Sequence, residues 1–204
     1  PAAFAETDEL VALTTEAANC GGSYISHMRS EGDRLLESID ELMEISRRSG
    51  APAEIYHLKQ VGRSNWGKID AVIAKIEAAR AEGHKISADM YTYTAGGTGL
   101  AASMPPWVQD GGVDAMLARL RDPATVERIK KEMVQPGSNW ENLYNHAGPD
   151  RVLLASLTDP SLKPLIGKTV AEVAKMRGVS PEQAVIDLVL ADKGRIGAIY
   201  FLMK

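Results

Sequence analysis

Tyr24-Ile25-Ser26-His27-Met28-Arg29 and Glu54-Ile55-Tyr56-His57-Leu58-Lys59 lie thirty residues apart, and each closes an apolar run with a histidine followed two positions later by a cation. An extended strand alternates its side chains between faces, so the pattern puts His27 with Arg29, and His57 with Lys59, on one face. A repeat of about thirty residues accommodates one strand, one crossover helix and their turns. If these are neighbouring parallel strands, the two imidazoles converge at one end of a sheet, where α/β proteins bind ligands and do chemistry.

The residues between them read accordingly. A polar turn, Ser30-Glu31-Gly32-Asp33, leads to Leu35, Leu36, Ile39, Leu42, Met43 and Ile45 at helical spacing. Gly50 stands where a helix end needs left-handed backbone, and Pro52 opens a second strand expected over 53–59. The scheme then repeats, with a loop over 60–67, a helix lined by Ile69, Val72, Ile73, Ile76 and Ala79 that stops near Gly83, and a third strand over 85–93. Ahead of the first strand, Thr7 is the expected N-cap of a helix to about Asn19, with Gly21 and Gly22 as its stop. This alternation implies an α/β protein with a parallel sheet and right-handed crossovers, in a barrel or an open doubly wound sheet. No Gly-x-Gly-x-x-Gly follows a strand and no Gly-x-x-x-x-Gly-Lys-Ser/Thr loop occurs, which removes most of the support for nucleotide binding.

Composition narrows the class further. The 204 residues are 45% apolar and 25% charged, ordinary for one globular domain or part of one. A net charge of -4 without a basic stripe argues against a nucleic-acid partner. No apolar run reaches the roughly 18 to 20 residues that span a bilayer, and no basic-then-apolar segment opens the chain, so no membrane partner and a cytoplasmic location are expected. The single cysteine, Cys20, cannot form an intramolecular disulfide and is expected to be a buried or half-buried structural thiol.

From 94 to about 164 the alternation stops, punctuated by Gly96-Gly97, Pro105-Pro106-Trp107, Gly111-Gly112, Pro136-Gly137 and Gly148-Pro149. Helices are expected within it over 113–120 and, from the Asp122-Pro123 pair, to about Val134. So long an interruption reads as an inserted subdomain, 94–164, placed to cover the site. Helices over 167–178 and 180–193 follow, the second with Ser180, Pro181 and Gln183 in capping-box order, and a final strand over 196–203 ends the chain.

His27 and His57 at matching strand ends are balanced between metal ligands and hydrogen-bonded rim residues. Imidazole suits zinc, but catalytic zinc usually takes about three protein ligands, and only two are visible here. His84, in the turn before the third strand, is expected to be solvated, and His146 to lie on the surface of the insertion. Lys59 is expected to serve substrate binding more than stability, so that Lys59→Met would leave the melting temperature nearly unchanged. The alternative is a lysine snorkelling at a solvated strand end.

Three motifs then resemble one family in order and spacing. His27-Met28-Arg29-Ser30-Glu31-Gly32-Asp33, His57-Leu58-Lys59 with Asn65-Trp66-Gly67 after it, and Ala88-Asp89-Met90-Tyr91-Thr92-Tyr93-Thr94-Ala95-Gly96 followed by Pro105-Pro106-Trp107 resemble the N-acyl-D-amino-acid deacylases, or D-aminoacylases, of the amidohydrolase superfamily. The resemblance runs over essentially the whole chain. It implies zinc-dependent hydrolysis of the amide of an N-acyl-D-amino acid, a small-molecule substrate, on a (β/α)8 TIM-like barrel.

By resemblance, residues 1–93 are βα units around barrel strands five to seven, 94–164 the lid-like insertion, and 165–204 the final helices and strand of the segment. His27 and His57 resemble the metal-binding histidines of the fifth and sixth strands, Lys59 the lysine that meets the substrate carboxylate, and Tyr91 a substrate-binding tyrosine. The family commonly has serine where this chain has Gly97, which removes a hydroxyl. The family's paired histidines of the first strand, its metal-site cysteine and its acid/base aspartate have no counterpart here, so no catalytic residue is expected within the chain. With Pro1 at its start and Lys204 in an expected strand, the chain is expected to be an internal segment whose barrel is completed by flanking sequence of the same enzyme. Two alternatives stay open: a hydantoinase-like or dihydroorotase-like cyclic-amide hydrolase, and a non-catalytic α/β fragment that self-associates through open sheet edges.

Overall fold

Two compact units, Pro1–Thr92 and Tyr93–Lys204, make up the computed structural model, which describes residues 5–136 and 140–204. Gly137 of the expected Pro136-Gly137 turn lies outside the described residues.

The first unit alternates helix and strand as the apolar spacing requires: α1 (Thr7–Asn19), β1 (Tyr24–Ser26), α2 (Leu35–Ser49), β2 (Ala53–Ile55), α3 (Ile69–Ala81) and β3 (Ile86–Ala88). The strands form a parallel sheet in the order β1-β2-β3, with Tyr24 beside Ala53 and Ala53 beside Ile86. Leu35, Ile39 and Leu42 of α2 and Val72, Ile76 and Ala79 of α3 close on Ala53, Ile55 and Ile86 of the sheet in one buried cluster. That apolar stripe, more than intrinsic propensity, holds the helices. Gly50 ends α2 in left-handed backbone, φ 73°, and donates its N–H to Ser46.

Several expectations change at the ends of elements. Thr7 does not cap α1. Glu6 occupies the N-cap without a side-chain bond, and the Thr7 hydroxyl donates to Glu41 at 2.8 Å. The strands expected over 53–59 and 85–93 stop at Ile55 and Ala88. His57 takes φ 42°, backbone that no extended strand contains. Cys20 is exposed rather than buried.

The second unit comprises β4 (Gly96–Gly99), α4 (Gly112–Arg119), α5 (Pro123–Met133), α6 (Leu143–Ala147), β5 (Val152–Ser156), α7 (Val170–Arg177), α8 (Pro181–Ala191) and β6 (Gly197–Tyr200). Its sheet is antiparallel, in the order β4-β6-β5. The expected final strand is therefore not a parallel barrel strand. β6 runs antiparallel between one strand from each end of the stretch read as an insertion, and joins 94–164 to 165–204 in one unit. Tyr200 is buried there, its hydroxyl 2.9 Å from Ser103 Oγ.

Helix starts follow the capping chemistry more closely. Asp122 accepts from Thr125 N–H, and Thr169 and Glu172 form a complete capping box. Ser180 accepts from Gln183 N–H, but the Gln183 side chain bonds Asp187, so only half of the expected box forms. No helix among the described residues is long and apolar enough to cross a membrane.

Ile39 has no exposed surface, so Ile39→Ala should destabilise the chain by about 2–5 kcal/mol. Leu13→Ala, at a position 63% exposed, should cost no more than about 0.5 kcal/mol. Urea unfolding of the two variants beside the wild type checks both.

Candidate metal centre

His27 follows β1 directly, and His57 stands two residues beyond the end of β2. His27 Nδ1 lies 3.2 Å from His57 Nε2, with the rings edge to face at 4.9 Å between centroids. The imidazoles converge, but not by strand alternation, because both strands end before them. The loop after β3 holds His57 in place: the Asp89 carboxylate accepts from His57 N–H, Asp89 O accepts from Leu58 N–H at 2.8 Å, and Asp89 N–H donates to Ile55 O at 3.2 Å. Arg29, expected on the face of His27, instead forms two 2.8 Å hydrogen bonds to Glu41 of α2.

Glu31 completes the cluster. It sits in the turn after β1, only 3% exposed, with its Oε1 2.6 Å from Lys59 Nζ, 2.9 Å from His57 Nδ1 and 3.4 Å from His27 Nδ1. Its carbonyl accepts from Val61 N–H at 2.8 Å, so main chain and side chain both tie the first loop to the second. Asn65 adds another tie, donating to Asp33 at 3.1 Å and to Val61 O at 2.7 Å. Lys59 Nζ also lies 2.7 Å from His57 Nδ1 and 5.4 Å from the centre of the Tyr91 ring. Thus His27, His57, Lys59 and Tyr91 are gathered in one place, and Glu31, read from sequence as part of a polar turn, lies among them. Its only signal was a carboxylate four residues after His27, a spacing that means little outside a helix. His84 is half-buried in its turn, 3.8 Å from Glu82, and His146 is half-buried on α6.

Burial sets the electrostatics. It lowers the His27 pKa to about 4, helped by the neighbouring His57 and Lys59, and lowers that of His57, helped by Lys59. The same burial pushes Glu31 up to about 7 against the opposing pull of the Lys59 ammonium, and raises Tyr91. Both imidazoles are therefore neutral near pH 7, with lone pairs to offer.

His27, Glu31 and His57 are a set whose donor atoms all lie within 4.8 Å of one another. Zinc bonds of about 2.0–2.1 Å in a tetrahedron require donors about 3.3 Å apart. The 3.2 Å between the imidazole nitrogens and the 3.4 Å from His27 to Glu31 fit that requirement. The count of two possible donors made from sequence thus becomes three.

No protein-family model matches the chain. It is 36% identical over 110 residues to N-acyl-D-glutamate deacylase of Alcaligenes xylosoxydans xylosoxydans, a match covering 54% of this chain and 22% of that protein. N-acyl-D-glutamate deacylase from Bordetella bronchiseptica, solved with zinc and a phosphonate mimic of the tetrahedral intermediate, superposes with a TM-score of 0.70 at 24% identity, over 100% of this chain and 33% of that one, a likeness of fold. D-aminoacylase, described from its crystal structure as defining a novel subset of amidohydrolases, superposes with a TM-score of 0.67 at 29% identity, over 100% of this chain and 33% of that one. A further D-aminoacylase structure, concerned with its binuclear metal centre, gives 0.67 at 27% identity and the same coverage. The chain is a relative of the D-aminoacylase amidohydrolases, the family that its motifs resemble, and spans about a third of the solved structures.

The buried ion pair revises the expectation for Lys59, whose side chain is 9% exposed and neither solvated nor on a strand. Lys59→Met strands the Glu31 carboxylate and should cost about 3 kcal/mol or more at pH 8. Glu31 titrates in the fold near 7, above the ordinary 4.5, so its protonated form is favoured in the fold, and removing Lys59 raises the folded value further. Stability in the variant should accordingly be kept at pH 5 and fall as pH rises through 7 and beyond. Thermal unfolding at pH 5 and pH 8 checks this, and adding Glu31→Gln should recover much of the loss at pH 8.

Proposed function

We propose that this chain supplies part of the active site of a metal-dependent hydrolase that cleaves the linear amide of N-acyl-D-amino acids, releasing a carboxylate and a D-amino acid. The observation that carries the reading is the pair of neutral imidazoles 3.2 Å apart, beside a buried lysine, at the C-terminal end of a parallel sheet. The 36% identity to a deacylase and the metal centres of the related structures support it.

In this reading His27 and His57 hold the metal, with zinc as the ion. Zinc bound there would polarise the amide carbonyl and make water a stronger acid and nucleophile. Lys59 meets the substrate carboxylate as a fixed cation, and Tyr91, whose ring faces Lys59 Nζ, flanks the same group. Both orient the amide rather than take part in its proton transfers. Asp89 is an unsuitable acid/base, because its carboxylate already accepts from His57 N–H and holds the loop. The proton-shuttling carboxylate then comes from flanking sequence, as do the remaining strands of a (β/α)8 barrel of which β1, β2 and β3 are one sector.

The test is an assay of the enzyme containing this chain on N-acetyl-D-amino acids, their L-forms and hydantoins. Turnover of the D-forms, lost on His57→Ala together with bound zinc, is expected. Faster turnover of hydantoins would select the cyclic-amide alternative. The 204 residues alone should show no deacylation. Turnover by them that disappears on His57→Ala would mean that the acid/base group lies within this chain.

A further inference from the structure

Strand alternation by itself would part the two imidazoles. In the register of the sheet Ser26 lies beside Ile55, and Ile55 faces the helices, so carrying both strands forward puts residues 28 and 57 on that buried face and His27 on the other. Met28 takes its place there, 2% exposed in the cluster that holds Ile55. His57 does not, and Leu58 packs against that cluster in its stead.

The backbone hydrogen bonds show where the extra residue enters. Asp89 N–H donates to Ile55 O, and a regular parallel ladder would then return His57 N–H to Asp89 O. That carbonyl instead accepts from Leu58 N–H at 2.8 Å, one residue late. The bulge deprives His57 N–H of its ladder acceptor, and the Asp89 carboxylate takes the bond. His57 also has φ 42°, and among the described residues only Lys193 joins it in positive φ without being glycine. Such backbone persists in a residue with a side chain only where its surroundings enforce it.

Resting on the metal-centre reading above, we propose that Asp89 is a positioning residue: its carboxylate caps a one-residue bulge that moves His57 from the buried face of the sheet to the face of His27, and so sets the two imidazoles for one metal ion. The N–H, the carbonyl and the carboxylate of Asp89 all engage the segment from Ile55 to Leu58. What the bulge requires at position 89 is an acceptor oxygen at short reach, not a proton to transfer. Asparagine meets that requirement. Alanine has no acceptor, and a serine hydroxyl stops one bond short of the His57 N–H.

The experiment uses the full enzyme containing this chain, with three readouts: zinc affinity by competition with a chelator, crystal structures of the variants, and kcat. Asp89→Ala should weaken zinc binding by about 10–100-fold and take residue 57 out of left-handed backbone. Asp89→Asn should restore both, staying within about threefold of wild type in affinity and kcat. If Asp89→Ala fails to fold, Asp89→Ser keeps a polar group in the loop and makes the same comparison. Unchanged affinity and an unchanged His57 backbone in the variant without an acceptor would overturn the proposal while leaving the metal centre standing. A fall in kcat of about 100-fold or more in Asp89→Asn at full zinc occupancy would make Asp89 an acid/base and overturn it differently. If the wild type takes up no zinc, the metal-centre reading fails, and the crystal structures still decide the role of Asp89. A left-handed residue 57 in Asp89→Ala then overturns it, and imidazoles that part in Asp89→Ala and rejoin in Asp89→Asn uphold it.

Discussion

Glu31 is 3% exposed, and a carboxylate so placed has to be paired and hydrogen-bonded or give up its charge. Its partners Lys59 and His57 lie on the loop after β2, while Glu31 itself lies on the loop after β1. Burying that one group therefore fixes two loops against each other. The Val61 N–H bond to the Glu31 carbonyl and the Asn65 bond to Asp33 reinforce the same seam. Asp89 brings in the third loop through the backbone of His57. The parallel sheet supplies the platform on which these loops stand, with strands of three residues each.

The same removal from water that raises the Glu31 carboxyl lowers both imidazoles. Opposite shifts have one origin here: a dry pocket disfavours every charged form, and the Lys59–Glu31 pair resists it by mutual attraction. Such pairs seldom add net stability compared with an apolar core of equal volume. Their presence at the functional end of a sheet is more informative about chemistry than about folding, since perturbed groups gather where proteins bind and react.

The likeness to D-aminoacylase covers the whole of this chain and a third of the solved one. The first unit concentrates the chemistry: two imidazoles, a lysine and a tyrosine share one loop cluster. The second unit, with its antiparallel β4-β6-β5 sheet, contributes none of those groups. Its own order comes from buried anchors, such as Asp192, which accepts from Thr158 and Asp159 N–H groups at 2.9 and 2.6 Å.

Periodicity and capping chemistry by themselves determined much of this protein. The stripe from Leu35 to Leu42, Gly50, Asp122 and Ser180 mark helices that form close to where they are read, because each signal acts within a turn or two of backbone. The thirty-residue repeat likewise determined three parallel strands and the pairing of His27 with His57. Tertiary structure alone decided the rest. Gly96–Gly99 carries no strand pattern and is a strand because β6 offers it a partner. Arg29 turns to Glu41, His57 leaves the extended region for the Asp89 carboxylate, and Glu31 becomes the centre of the site, all through neighbours 12 to 32 residues away in sequence. A local pattern records which face of an element is apolar. It carries no record of which charges will meet once water has been excluded from between two loops.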